Sequence, residues 1–124
     1  MAQYRIPAVA LTAVREAARR IRSLEAEALA ALRERDDTAG HRADLIEKCR
    51  LLAALPETVK RSLPQAASPD TTAFAAGLSD FAHRADTALS LGSIFFMGAL
   101  LYPEDYQEGD PNDLERFLER FEAL

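Results

Sequence analysis

A single cysteine, Cys49, stands in a chain of 124 residues, so no disulfide can form within one molecule. Disulfide-stapled secreted domains are therefore excluded, and the expected location is a reducing compartment, the cytoplasm. The sequence also lacks a glycine-rich phosphate loop, a Cys-x-x-Cys pair and a recognisable nucleophile motif. We accordingly predict no cofactor, no metal and no catalytic residue, and the absences favour a protein that is not an enzyme.

An excess of positive charge is also missing, since the net charge is −5. Nucleic acid is not expected as a partner, because an acidic protein would have to overcome repulsion from the phosphates. The charge is divided unevenly: residues 1–62 hold 12 basic and 9 acidic side chains, whereas residues 63–124 hold 3 and 11. A basic half and an acidic half can pack together and neutralise each other, or the acidic half can bind a separate partner. The first interpretation is the simpler one.

No segment shows the valine, isoleucine and threonine enrichment that is typical of β-strands. Alanine and leucine instead supply 24 and 17 residues, and both favour helix. A chain of this length fits one domain with one core. The sequence therefore predicts a single all-α domain over residues 1–124, an up-down four-helix bundle with one long helix in its C-terminal half and a short last helix that caps it.

Helix boundaries follow from proline, glycine and capping residues. The first helix is expected from about Pro7 to Asp36, and the second continues to about Leu55, where Pro56 bends or ends it. Ser68 is the predicted N-cap of the long helix, which we expect to reach about Leu101. The last helix is predicted to begin with Asp110 as its cap, Pro111 in its first turn and Asp113 in the capping-box position.

The long helix is unusual because charge is missing from all of its sides between Thr87 and Tyr102. Sixteen helical residues span about 24 Å, too short for the ~30 Å hydrocarbon core, so a membrane span is not predicted. A helix that is apolar all round has to be covered. We expect the shorter helices to enclose it, in which case Phe95→Asp would unfold the protein. Any part left uncovered becomes a subunit or partner interface.

Charged side chains give the candidate interaction surface. Arg15, Arg19 and Arg22 share one outer face of the first helix, and the acidic loop after the long helix carries Glu104, Asp105 and Glu108. No aromatic residue is interleaved with the arginines, so base stacking has no platform. The leading hypothesis is a non-catalytic bundle, of regulatory or adaptor type, that binds another protein or a second copy of itself.

Two alternatives remain open. Arg35 and His41 are separated by five residues, a spacing that resembles the Arg-x(4–6)-His pattern of the HEPN family of α-helical ribonucleases and nucleotide-associated bundles. The resemblance implies that Arg35 and His41 act on a phosphodiester, normally across a dimer. The second alternative is a bundle that binds a small apolar ligand near Phe95, Phe96 and Met97.

Metal-ligand patterns are incomplete. Asp80 and His83 have the spacing of a Glu-x-x-His motif, with aspartate in place of glutamate, and the motif occurs once. A dinuclear centre needs two such motifs, so the simpler prediction places Asp80 and His83 on an outer face and Cys49 in the core.

Overall fold

Five helices follow one another along residues 6–123, the part of the chain that the computed structural model describes. Their bounds are α1 Ala8–Arg35, α2 Thr38–Lys60, α3 Pro69–Leu91, α4 Ile94–Ala99 and α5 Asp113–Glu122. The described residues contain no strand, so the predicted all-α class is confirmed. Within the same residues, no helix has both the length and the apolarity needed to cross a bilayer.

The bundle is a ring of four helices with α4 at one end. The helix α2 packs between α1 and α3, while α5 contacts both α1 and α3 and closes the ring opposite α2. The short α4 packs on α2 and α3. Apolar side chains at helical spacing on each of the four main helices turn inward, among them Val14, Leu52, Phe74 and Leu114, which are all fully buried.

An aromatic cluster joins α3 to α5. The ring of Phe74 lies 5.4 Å from that of Phe117 and 5.2 Å from that of Phe121. Gly77 allows this approach, because a Cβ atom built there would lie 2.2 Å from Cε1 of Phe117. A glycine in the middle of α3 therefore lets the α5 rings sit directly against the α3 backbone.

Two boundaries differ from the sequence prediction. The helix α2 runs through Pro56 to Lys60, since the burial of Leu55 and Val59 on either side of the proline offsets the lost backbone hydrogen bond. The cap of α5 is Asn112, not Asp110, and its capping-box partner is Glu115, not Asp113. The Asn112 side chain accepts a hydrogen bond from the Glu115 backbone at 2.9 Å, and the Glu115 carboxylate accepts one from the Asn112 backbone at 2.8 Å.

The expected single helix from Pro69 to Leu101 is broken at Gly92. Gly92 adopts a left-handed conformation with φ of 62° and ends α3, and the Ser93 hydroxyl then caps α4 by accepting from the Phe96 backbone at 3.1 Å. The break changes which side chains face inward. Met97 and Leu101 are buried, but Phe95 is 76% exposed. The prediction that the shorter helices of the chain enclose the segment from Thr87 to Tyr102 is therefore wrong. The reason for expecting Phe95→Asp to unfold the protein is wrong as well.

Candidate interaction surface

A buried lysine of α2, Lys48, binds the C-terminal end of α4 from the core side. Lys48 lies on the inward face of α2 with its side chain fully buried, and its Nζ donates to the carbonyl oxygens of Gly98 at 3.3 Å and Leu100 at 2.9 Å. These two carbonyls lie at the C-terminal end of α4, where helix carbonyls lack intrahelical partners. The ammonium of Lys48 therefore fixes the end of α4 against the core.

Glu25 of α1 neutralises this ammonium. Its Oε2 lies 2.9 Å from Nζ of Lys48, and its Oε1 accepts a hydrogen bond from the Tyr102 hydroxyl at 2.5 Å. The ring of Tyr102 also lies under the ammonium, with Nζ 5.3 Å from its centroid. Burial, followed by the hydrogen bond to Glu25, raises the pKa of Tyr102, so the phenol stays protonated as a donor. Lys48, Glu25 and Tyr102 thus join α2, α1 and the segment after α4.

Arg22 extends this polar network to α5. Its Nε and Nη2 donate to the two carboxylate oxygens of Glu115 at 3.1 and 2.6 Å. The same guanidinium donates to the Asp110 carbonyl at 3.0 Å, and to the hydroxyls of Tyr102 and Tyr106 at 3.3 Å each. The hydrogen bond from Arg22 lowers the pKa of Glu115, and the same bond raises the pKa of Arg22. The guanidinium therefore holds the loop between α4 and α5 against α1.

The outer side of α4 and its neighbours form a contiguous apolar surface. We call it the α4 face and define it by Leu29, Leu91, Phe95 and Phe96, whose exposed fractions are 44%, 62%, 76% and 51%. The rings of Phe95 and Phe96 contact each other with centroids 5.7 Å apart. Large apolar side chains clustered in this way differ from the single exposed apolar residues of an ordinary surface.

Two open grooves flank the aromatic ridge of the α4 face. The groove on the α1 side measures about 550 Å³ and is lined by Leu29, His41 and Phe95 among others. The groove on the α3 side measures about 410 Å³ and is lined by Leu91, Phe96 and Arg84 among others. Ala99 lines both grooves. The α4 face therefore offers a projecting ridge and two concave surfaces side by side.

The predicted arginine surface is partly occupied by the chain itself. Arg15 pairs with Glu122 of α5, and Arg22 pairs with Glu115, so two of the three arginines bind the acidic half of the same molecule. Arg19 is exposed. These pairs favour the interpretation in which the basic and acidic halves pack together.

The acidic residues of the candidate surface lie apart from those ion pairs. Glu104, Asp105 and Glu108 are exposed in the loop between α4 and α5. The structure thus brings Arg15 and Arg22 to α5 but leaves these three carboxylates on the solvent side of the loop.

Arg35 and His41 occupy the turn between α1 and α2. Arg35 is the last residue of α1, and His41 lies in the first turn of α2, with Asp36 and Asp37 capping the two helices between them. The imidazole Nδ1 of His41 lies 2.8 Å from the carbonyl oxygen of Ala28, a contact that ties α2 to α1. Arg35 is exposed. Because it ends α1 and His41 belongs to α2, the two residues lie on successive helices rather than together at the start of one helix.

The remaining candidate ligands are dispersed. Asp80 and His83 are exposed on α3, where Asp80 pairs with Arg84 at 3.3 Å. Cys49 is buried in the core, and desolvation raises the pKa of its thiol. Residues 6–123 contain no cluster of three or more histidine, cysteine or carboxylate side chains placed to hold a metal ion.

Sequence reasoning missed Lys48 and Glu25, although both leave a signal. Lys48 falls between the inward residues Leu45 and Leu52, at helical spacings of three and four. Glu25 lies four residues after the buried Ile21 on α1. Opposite charges on two core-facing stripes indicate a buried pair, because an unpaired charge there is strongly unfavourable.

Comparisons with protein-family models, with curated proteins and with solved structures found no match to this chain.

Proposed function

We propose that the protein is a non-catalytic helical bundle that works by binding protein through the α4 face, in the cytoplasm. The observation that carries the proposal is the exposure of Phe95 and Phe96 beside two open grooves. Aromatic side chains provide much of the binding energy at protein interfaces. Arg15 and Arg22 form ion pairs within the chain, so we favour the α4 face over these arginines as the main contact surface.

Burial of the α4 face can supply much, but not all, of the free energy of a specific contact. Full burial of a large apolar side chain contributes ~1.5–3 kcal/mol. Applied to the exposed fractions of Leu29, Leu91, Phe95 and Phe96, that range gives roughly 3–7 kcal/mol. A micromolar complex needs about 8 kcal/mol. The α4 face therefore supplies a large share of a weak or moderate interaction, with polar contacts around it providing the remainder.

The contacts that hold α4 in place support an ordered binding surface rather than a loosely collapsed segment. Lys48 binds the carbonyls at the end of α4, and the Ser93 hydroxyl caps its beginning. A surface that is already ordered loses less conformational entropy when it binds. The polar groups of the network are engaged with one another, which suits a scaffold better than a reaction centre.

The proposal is tested by affinity capture with three forms of the protein as bait. Phe95→Asp places a charge on the α4 face, while Val9→Asp makes the same change at another exposed apolar residue, 68% exposed near the start of α1. Val9 and Leu29 are 20 residues apart on α1, about 30 Å. The wild type and Val9→Asp should retain the same protein from native lysate, and a second copy of the chain counts as such a protein. Phe95→Asp should not retain it. An identical set of retained proteins for all three baits would contradict the proposal.

A further inference from the structure

We infer that the occupant of the α4 face is a second copy of the same chain, packed face to face about a two-fold axis. The inference depends on the proposed function, because it names the partner of that surface. Shape, charge and area each support it.

The shape of the α4 face is complementary to itself. In a two-fold interface the same surface serves both subunits, so a projecting element must lie beside a matching concavity. The ridge of Phe95 and Phe96 projects between the grooves of about 550 and 410 Å³. A cavity of about 150 Å³ already holds a benzene molecule, so either groove accepts a phenylalanine ring. The ridge of each copy can therefore lie in a groove of the other while its own groove receives the second ridge.

The charge distribution also favours self-contact at this place. The chain carries a net charge of −5, so two copies repel each other on average. The segment from Thr87 to Tyr102 carries no charged residue, and it includes three of the four residues of the α4 face. The two ridges therefore bring no like charges together, and the charged side chains of Glu25, Arg84 and Asp113 lie in the lining of the grooves instead. A strongly charged partner, by contrast, would find no complementary charge on the ridge.

The exposed area of the α4 face is close to the apolar part of the area that a standard dimer interface buries on one partner. Its four side chains expose roughly 400 Å² if a fully exposed aromatic or leucine side chain presents about 150–200 Å². A standard interface buries about 800 Å² on each partner, and a little over half of that area is apolar, about 450–500 Å². One α4 face thus provides most of the apolar part of one side of such an interface.

Sedimentation equilibrium of the purified chain between roughly 1 and 300 μM tests the inference. We expect a reversible dimer with a micromolar dissociation constant. Phe95→Asp alters the ridge, and Ala99→Glu alters both grooves at an exposed residue, so both variants should keep the helical circular dichroism signal. Each should weaken the dimer at least about 100-fold. Val9→Asp is the matched control, and its dissociation constant should stay within about threefold of the wild-type value.

The possible results separate this inference from the proposed function. A wild-type protein that has the mass of one chain at 300 μM overturns the dimer, and so does a dimer that survives both Phe95→Asp and Ala99→Glu. If the monomeric wild type nevertheless retains a different protein that Phe95→Asp loses, the proposed function stands and only the second copy is wrong. If it retains none, both are wrong.

Discussion

Removal of the buried lysine gives the sharpest test of how α4 is held. In Lys48→Met the ammonium disappears, while a flexible apolar side chain of similar length fills its space. The Glu25 carboxylate, 2.9 Å from Nζ in the wild type, then keeps only the Tyr102 hydroxyl as a partner. The carbonyls of Gly98 and Leu100 lose their donor as well.

The expected loss of stability is large. Breaking a buried ion pair by removing one partner costs about 3–5 kcal/mol, because it leaves a charge buried and uncompensated. A domain of this kind has about 5–15 kcal/mol of unfolding free energy. With a urea dependence of ~1–3 kcal/mol per molar, the unfolding midpoint should fall by more than about 1 M. Urea titration followed by circular dichroism measures the change.

Two further variants decide whether the loss comes from the buried charge. Lys60→Met makes the same substitution at the exposed end of α2, and we expect a change within about 1 kcal/mol. Glu25→Gln removes the stranded carboxylate yet keeps an acceptor for Tyr102. The double variant Lys48→Met with Glu25→Gln should therefore be more stable than Lys48→Met alone. If Lys48→Met is as stable as Lys60→Met, the assignment of Lys48 as the support of α4 is refuted.

Two other predictions concern α5. Gly77→Ala should lower the free energy of unfolding by about 1–3 kcal/mol in urea titration, because the added Cβ would collide with the ring of Phe117. Gly98→Ala is the control and should change the free energy little, because its Cβ would make only an ordinary contact with Leu45. Equal effects of the two substitutions would contradict the close approach of Phe117 to the α3 backbone. Arg22 lowers the pKa of Glu115 in the folded state, so this pair stabilises the fold above the unfolded pKa of about 4.3 and is lost as the pH falls through the lower folded pKa. The urea unfolding midpoint of the wild type should therefore fall between pH 6 and pH 3 by more than that of Glu115→Gln. An equal decrease in both proteins would contradict a stabilising contribution from the Arg22–Glu115 pair.

Much of the fold was predictable because it depends on local signals. The end of α1 beside Asp36 and the Ser68 cap of α3 both follow from helical periodicity and capping, and the structure has both of them. These features involve residues close together in sequence. Their energies are therefore visible in a single chain.

The break at Gly92 was less visible because the apolar spacing continues across it. The apolar spacing of the sequence runs on through Phe95 and Ala99 and therefore favoured one helix with these residues inward. In the structure both are exposed, and Met97 and Leu101 are buried in their place. The dipeptide Gly92–Ser93 carried the missing signal, since glycine ends helices and serine begins them. An uninterrupted apolar run outweighed that signal in the sequence prediction.

The partners of Lys48 were harder to predict than its burial, for a different reason. Lys48 pairs with Glu25 across 23 residues of sequence, and its carbonyl partners are 50 and 52 residues away. A helical pattern shows that a charge faces the core, but it does not show which charge meets it. Only the relative placement of α1, α2 and α4 reveals the pair.

The break and the buried lysine belong to one arrangement. The break at Gly92 sets the direction of the six-residue α4, and the carbonyl groups at the C-terminal end of α4 lack helical partners, as at any helix end. Lys48 supplies their donor, and Glu25 removes the penalty of burying its charge. The chain thus holds α4 in a position that turns Phe95 and Phe96 outward, which is the placement that the proposed contact through the α4 face requires.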